Sequence, residues 1–248
     1  MTATLEAHAP EASAAQLREQ GWCVLHDVIP PEQARRIRND LWRCAVTCGV
    51  IAQSYNANVE PIPFYTRVSV IKDAVSLAVP LADDRVLAVV RAALGGGEPC
   101  ITATTMQVHE PGTQRGSWHV GEPFDSTSTA LGHLTAVFMF SPFTPENGGY
   151  LLLPASHRRG APKPGEASAQ PGEVSVTGRS GTILLTDSRL WRAVAANDSD
   201  VMRLSVTAGY TAANGDSKKW PHDPKSVLAE RIFKQLPDRT QNLLRHWL

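Results

Sequence analysis

Residues 181–210 read GTILLTDSRLWRAVAANDSDVMRLSVTAGY, and they decide the architecture. Two short runs rich in β-formers, 182–186 and 203–211, flank a stretch of Asn, Asp and Ser whose side chains favour turns. Outward from there the same pattern repeats. From Ile101 the period is two: Thr102, Thr104 and Met106 alternate with Ala103, Thr105 and Gln107, as a half-buried strand requires. Further strands are predicted at 133–140 and 149–153, between turns rich in Pro, Gly and Asn. Earlier in the chain the period is helical. Ser13 to Gln20 forms a short helix stopped by Gly21, and residues 22–26 form a strand. Pro30-Pro31 then opens a helix over 31–48, with Ala34, Ile37, Leu41, Ala45 and Cys48 on one face. A second amphipathic helix is expected over 80–94, ended by Gly95-Gly96-Gly97, and residues 224–248 read as two short helices broken by Pro237. Residues 49–66 carry no period, and an irregular stretch of that length is usually functional or mobile. Helices followed by six or more short strands predict a mainly β fold with flanking helices, a sandwich or barrel. One domain is expected over 13–248, behind a flexible tail at 1–12.

With 248 residues and 42% apolar content the chain can bury a full core. Its 24 Lys and Arg balance 24 Asp and Glu, so no charge excess recommends nucleic acid or an anionic membrane as partner. No apolar run approaches a membrane span and no basic-then-apolar leader opens the chain, which predicts a cytoplasmic protein. The cysteines (Cys23, Cys44, Cys48 and Cys100) offer no disulfide framework. Cys44 and Cys48 lie four apart, but no second pair follows at zinc-site spacing, so buried thiols are expected.

Trp118-His119-Val120-Gly121 stands 73 residues ahead of Arg192, counted from His119, and Arg203 follows Arg192 by eleven. Three longer stretches surround these positions: LREQGWCVLHDVIPPEQARRIRNDL (17–41), TPENGGYLLLPASHRRG (144–160) and the segment quoted first. In this order and spacing they resemble the phytanoyl-CoA dioxygenase family over nearly the whole chain. The resemblance implies a double-stranded β-helix, a jelly roll whose mouth holds Fe(II) and 2-oxoglutarate. It also implies hydroxylation, desaturation, halogenation or rearrangement of small molecules, many of them natural products.

The family's pattern is H-x-D, a distal His, and an Arg eleven residues later. His119 matches the first ligand, Gly121 stands for the carboxylate, Arg192 for the distal His, and Arg203 matches the Arg that grips the far carboxylate of 2-oxoglutarate. Two of the three protein ligands of a two-His, one-carboxylate iron site are thus replaced. A small residue at the carboxylate position marks the halogenases of this superfamily, but those keep both histidines. Arg192 is permanently charged and has no lone pair for a metal. It fits a pocket role, gripping a carboxylate, and equally an outward position at a strand end or a pair with Asp187. Arg203 sits among Leu204, Val206 and Ala208, where a charge needs a partner, so a vestigial anion pocket is expected there. Gln107 matches a position from which relatives offer an amide to the co-substrate, and His109 shares its strand face. Glu122 and Asp125 are the carboxylates nearest behind His119, while His133 and His157 match positions that are mostly structural in the family.

Three kinds of function fit these residues. The first is a non-catalytic accessory subunit, paired with an active paralogous oxygenase or with itself, with Phe64, Tyr65, Phe233 and Trp247 as candidate anchors. The second is a metal-independent isomerase or cyclase in which His119 and Arg192 are catalytic and Gln107 and Arg203 bind the ligand. The third is an oxygenase with an unconventional ligand set, holding Fe(II) and 2-oxoglutarate. The first two expect no tightly bound cofactor. The apolar strand faces suggest a lipophilic small molecule as substrate.

Overall fold

The computed structural model describes residues 9–47, 64–121, 131–212 and 228–247. Nine strands form two antiparallel sheets. The larger holds β1 (Trp22–Leu25), β2 (Phe64–Val68), β3 (Pro99–His109), β4 (His133–Met139), β7 (Ile183–Asp187) and β9 (Arg203–Ala212), in the order β1-β7-β4-β9-β3-β2. The smaller holds β5 (Tyr150–Leu152), β6 (Val174–Val176) and β8 (Arg192–Val194), in the order β6-β5-β8. A single bridge, His119 with Arg192, extends the smaller sheet beyond β8. The two sheets form the jelly roll that the family resemblance implied.

Alternation assigns each face of the large sheet. Leu134, Ala136 and Phe138 of β4, Ile183 and Leu185 of β7, and Leu204, Val206, Ala208 and Tyr210 of β9 belong to one core with the helices. The helical layer comprises α1 (Pro10–Gln20), α2 (Pro31–Thr47), α3 (Ala78–Leu81) and α4 (Asp84–Ala93), followed near the C-terminus by α5 (Glu230–Phe233) and α6 (Asp238–Leu244). Ala34, Ile37, Leu41, Cys44 and Ala45 of α2 are buried, as the three- and four-residue spacing requires. The opposite face of the sheet contributes Val137, Met139 and Leu184 to a second core with Tyr150, Leu152 and Val176 of the small sheet. The jelly-roll interior lies there.

Several expectations needed correction. The helix expected over 80–94 is two helices, because Asp83 caps α4 by accepting from the Arg85 amide at 2.9 Å, and the chain turns there. The irregular stretch 49–66 ends in β2, which pairs with β3 from Phe64↔His109 to Val68↔Thr105, while residues 48–63 lie outside the described segments. Strands β6 and β8 were not anticipated, since three residues are too few to display alternation. The first helix starts at Pro10, ahead of Ser13. Trp247 is not a surface anchor: it is buried, and its indole donates to the Ile101 carbonyl at 2.7 Å. Phe233 is partly buried against the same core. Cys23, Cys44 and Cys100 are buried, as expected, and burial pushes the Cys23 thiol up to about 12. No helix among the described residues is long and apolar enough to cross a membrane.

The turn ahead of β7 fastens the sheet to the helical layer. The amides of Val28 and Ile29 both donate to the Gly181 carbonyl at 3.1 Å. Gly181 has φ +94°, and a Cβ there would run into the Ile29 carbonyl oxygen. Gly181→Ala is therefore expected to cost about 2 kcal/mol or more, read as a lower midpoint in urea unfolding with an unchanged slope.

Candidate functional site

The interior is unusually polar where β3 and β9 meet. Register places His109 opposite Arg203, Gln107 opposite Ser205 and Thr105 opposite Thr207, and these side chains share the inward face. On the other side of β9, Met139 and Val137 lie opposite Ser205 and Thr207. Leu204, Val206 and Ala208, which surround Arg203 in sequence, point the other way into the helical core.

Arg203 has no exposed surface, and its Nε, Nη1 and Nη2 lack hydrogen-bond partners among the described residues. Its guanidinium lies 4.2 Å from the centroid of the Phe143 ring, a cation–π contact in place of a counter-anion. Burial lowers its pKa to about 10, with Tyr150 opposing, so it remains a cation at neutral pH. Beside it, Gln107 Oε1 and Ser205 Oγ are also buried without partners. Burial and the charge of Arg203 hold His109 well below the usual imidazole range. Nearby, Asn197 is a clasp: its amide donates to the carbonyls of His109 and Val201 at 3.3 and 2.9 Å, and its backbone exchanges bonds with Gly112 and Thr113.

Around His119, Gly121 and Arg192 come together. His119 and Arg192 exchange both backbone hydrogen bonds at 2.9 Å, and the Gly121 amide donates to the Ser188 carbonyl at 2.6 Å. Arg192 points inward, sharing a face of the small sheet with Leu152 opposite it and with Val194. Its guanidinium fills the space beside Gly121: a Cβ at that glycine would lie 2.5 Å from Nη2 and 3.1 Å from Cζ. Arg192 is 8% exposed, its Nε has no partner, and Nη1 reaches Thr186 Oγ1 only at 3.4 Å. The pairing with Asp187 does not occur. That carboxylate is taken by Arg189, with Nη2 to Oδ2 at 2.6 Å, because Asp187 ends β7 and caps the following turn.

The His119 ring reaches solvent at the mouth, yet enough protein surrounds it that desolvation lowers its pKa, and Arg192 lowers it further. Its Nδ1 lies 3.1 Å from the Ser117 carbonyl, which can only accept; the proton therefore sits on Nδ1 and the lone pair on Nε2. Trp118 faces the other way, into a cluster with Leu151, Leu153 and Ala193, and its indole donates to the Ser168 carbonyl. His133 is bonded to Ser188 Oγ and, at 2.9 Å, to Thr102 Oγ1. His157 Nε2 bonds the Arg18 carbonyl at 3.2 Å. Both are structural, as expected. Glu122 and Asp125 lie outside the described residues.

These groups do not fit an iron ion. Among the described residues no three His, Cys, Asp or Glu side chains cluster to hold a metal. Two unit positive charges about 4 Å apart repel by about 4 kcal/mol at an effective dielectric near 20, and a dication doubles that. The deep end, with Arg203 and Gln107, does suit one carboxylate of a ligand such as 2-oxoglutarate; at the mouth, among the described residues, His119 has no second and third metal ligand beside it. The sequence reading missed Ser205 and Thr207, which alternation on β9 could have found, and nothing in the sequence marked Phe143, Tyr150 or Thr186.

Residues 17–205 match the phytanoyl-CoA dioxygenase model. The chain belongs to the phytanoyl-CoA dioxygenase family. Solved structures agree on the fold. The carbocyclase SnoK from nogalamycin biosynthesis, described as non-heme and alpha-ketoglutarate dependent, superposes with a TM-score of 0.67 at 18% identity, covering 81% of this chain and 83% of that one. The epimerase SnoN of the same biosynthesis gives 0.64 at 20% identity over 84% and 82%. EctD from S. alaskensis, solved with 2-oxoglutarate and 5-hydroxyectoine, gives 0.66 at 20% identity over 84% and 79%. An uncharacterised protein of Mycobacterium tuberculosis is 30% identical over 114 residues, which make up 46% of this chain and 40% of that relative. This family member therefore combines the shared jelly roll with an arginine, Arg192, packed against Gly121.

Burial and Arg192 together lower His133 from the usual imidazole value to about 3. The folded protein keeps that ring neutral, while the unfolded chain protonates it below about 6.5. Its contribution is thus complete above about pH 6.5 and is lost as pH falls toward 3. Between pH 7 and 5, unfolding stability is expected to fall with a slope of up to about 1.4 kcal/mol per pH unit from this group. Urea unfolding of His133→Asn over the same range is expected to show a shallower fall.

Proposed function

We propose that this protein is a metal-independent member of the phytanoyl-CoA dioxygenase family that binds an acidic small molecule in the jelly-roll chamber and rearranges it as an isomerase or cyclase. One observation carries the proposal: the guanidinium of Arg192 occupies the space that Gly121 leaves open, where a carboxylate ligand would project. Arg192 holds a carboxylate or a developing enolate oxygen through charge-assisted hydrogen bonds. His119, neutral and with its lone pair on Nε2, accepts a proton from the carbon beside that group and returns it at the new position. Arg203 and Gln107 orient the other end of the ligand. Proton transfer of this kind leaves the substrate's oxidation level unchanged and needs no oxygen.

An accessory role beside an active paralogue shares the metal-free premise, and one surface feature favours it as the second reading. Trp42, Val46 and Val201 are exposed, and Trp42 and Val201 line a groove with Arg38, Pro142 and Met202. A partner of the same fold seated there would bury apolar surface that now faces water. The unconventional-oxygenase reading is the least supported, since it requires iron to sit against Arg192.

Anaerobic titration with Fe(II) and 2-oxoglutarate is expected to give no metal-to-ligand charge-transfer band, and a band at near-equimolar iron overturns the proposal. Gly121→Asp alone is expected to pair the new carboxylate with Arg192 and still give no band. Gly121→Asp with Arg192→His, which restores the family's ligand set, is expected to bind iron.

A further inference from the structure

The chamber holds two guanidinium groups and no described carboxylate to balance them. Arg203 is fully buried with three donor nitrogens unpaired, and Arg192 is nearly buried with Nε unpaired and one long contact to Thr186. A buried cation without a partner is strongly disfavoured, and the usual remedy is an acidic side chain. Asp187, five residues before Arg192, is engaged elsewhere: it serves Arg189. The histidines supply no compensation either. His109 feels Arg203, while His119 and His133 feel Arg192, and all three are pushed toward the neutral form. Among the described residues, these two positive charges have no counter-anion.

The two arginines come from facing sheets. Arg203 lies at the first residue of β9, and Arg192 at the first residue of β8, with its guanidinium beside Gly121 and Thr186. The inward wall carries Ser205, Thr207 and Gln107 from the large sheet, with apolar Val137, Met139 and Leu152 beside them. A ligand lying along this wall meets a cation at each end and a mixed wall between.

We propose that Arg192 and Arg203 together clamp one small dicarboxylate, with one acid group on each guanidinium and no metal between them. The proposal rests on the metal-free reading above and names its ligand class. Arg192 supplies a fixed cation at the mouth, and Arg203 supplies the second deep in the interior. Gln107 and Ser205, whose buried oxygens lack partners, bond a hydroxyl or an acid proton of the ligand near Arg203.

The test is calorimetric titration in excess chelator with α,ω-dicarboxylates from malonate to adipate, against butyrate as a monoacid of related length. At least one diacid is expected to bind about tenfold or more tighter than butyrate, the worth of one further charge-assisted contact. Arg192→Met and Arg203→Met should each reduce that diacid to the butyrate level, and Arg192→Lys should recover part of the loss. Met fills similar volume without the buried charge, so both variants are expected to fold, and circular dichroism melting checks this. Undiminished diacid binding by folded Arg192→Met overturns the clamp, as does a diacid series with no member preferred over butyrate. If Arg192→Met does not fold, Arg192→Lys decides: unchanged diacid affinity there, with a point charge replacing the fork, also overturns it. These outcomes leave the metal-free reading standing, whereas near-equimolar iron binding by the wild type removes that reading itself.

Discussion

Along β9, Leu204, Val206, Ala208 and Tyr210 press into the helical core while Arg203, Ser205 and Thr207 look into the chamber, and the rest of the molecule is arranged around that alternation. The strand is central, bonded to β3 on one side and β4 on the other, so its register is fixed twice. A slip of one residue would drive a guanidinium into the helical core and leave four apolar side chains in the polar chamber. Tyr210 shows how closely the outer face is specified: its hydroxyl donates to the Leu81 carbonyl at 2.8 Å, joining the sheet to α3. The helices therefore hold the strand whose other face builds the site.

At the mouth, Gly121 and Arg192 make sense only together. The arginine needs room for its planar head, and Gly121 provides it. The backbone beneath is otherwise well ordered, with reciprocal bonds between His119 and Arg192 and a further bond from Gly121 to Ser188. The neighbouring His119 and His133 respond to burial and to the same charge by favouring the neutral form.

Much of this was legible in the residues. The long amphipathic faces of α2 and α4, the strands at 133–139, 183–187 and 203–212, and the break at Pro237 all follow from periodicity and turn chemistry. The positions of His119, Gly121 and Arg203 followed from motif spacing. What could not be read were features set by distant partners. Whether Arg192 faces in or out depends on its pairing with Leu152, a neighbour forty residues away that no local pattern specifies. Strands of three residues carry no measurable period, so β6 and β8 exist only because β5 lies between them. Asp83 looked like a helix residue until its carboxylate was seen capping α4, and Trp247 looked like an anchor until its indole was found on Ile101.

The fit of Arg192 against Gly121 also bears on descent. A side chain arriving at position 121 must either displace the Arg192 guanidinium or bond to it. An aspartate can do the second, closing an internal ion pair, whereas an apolar side chain can only do the first. What position 121 tolerates is therefore set by the residue at position 192, and the two change in step.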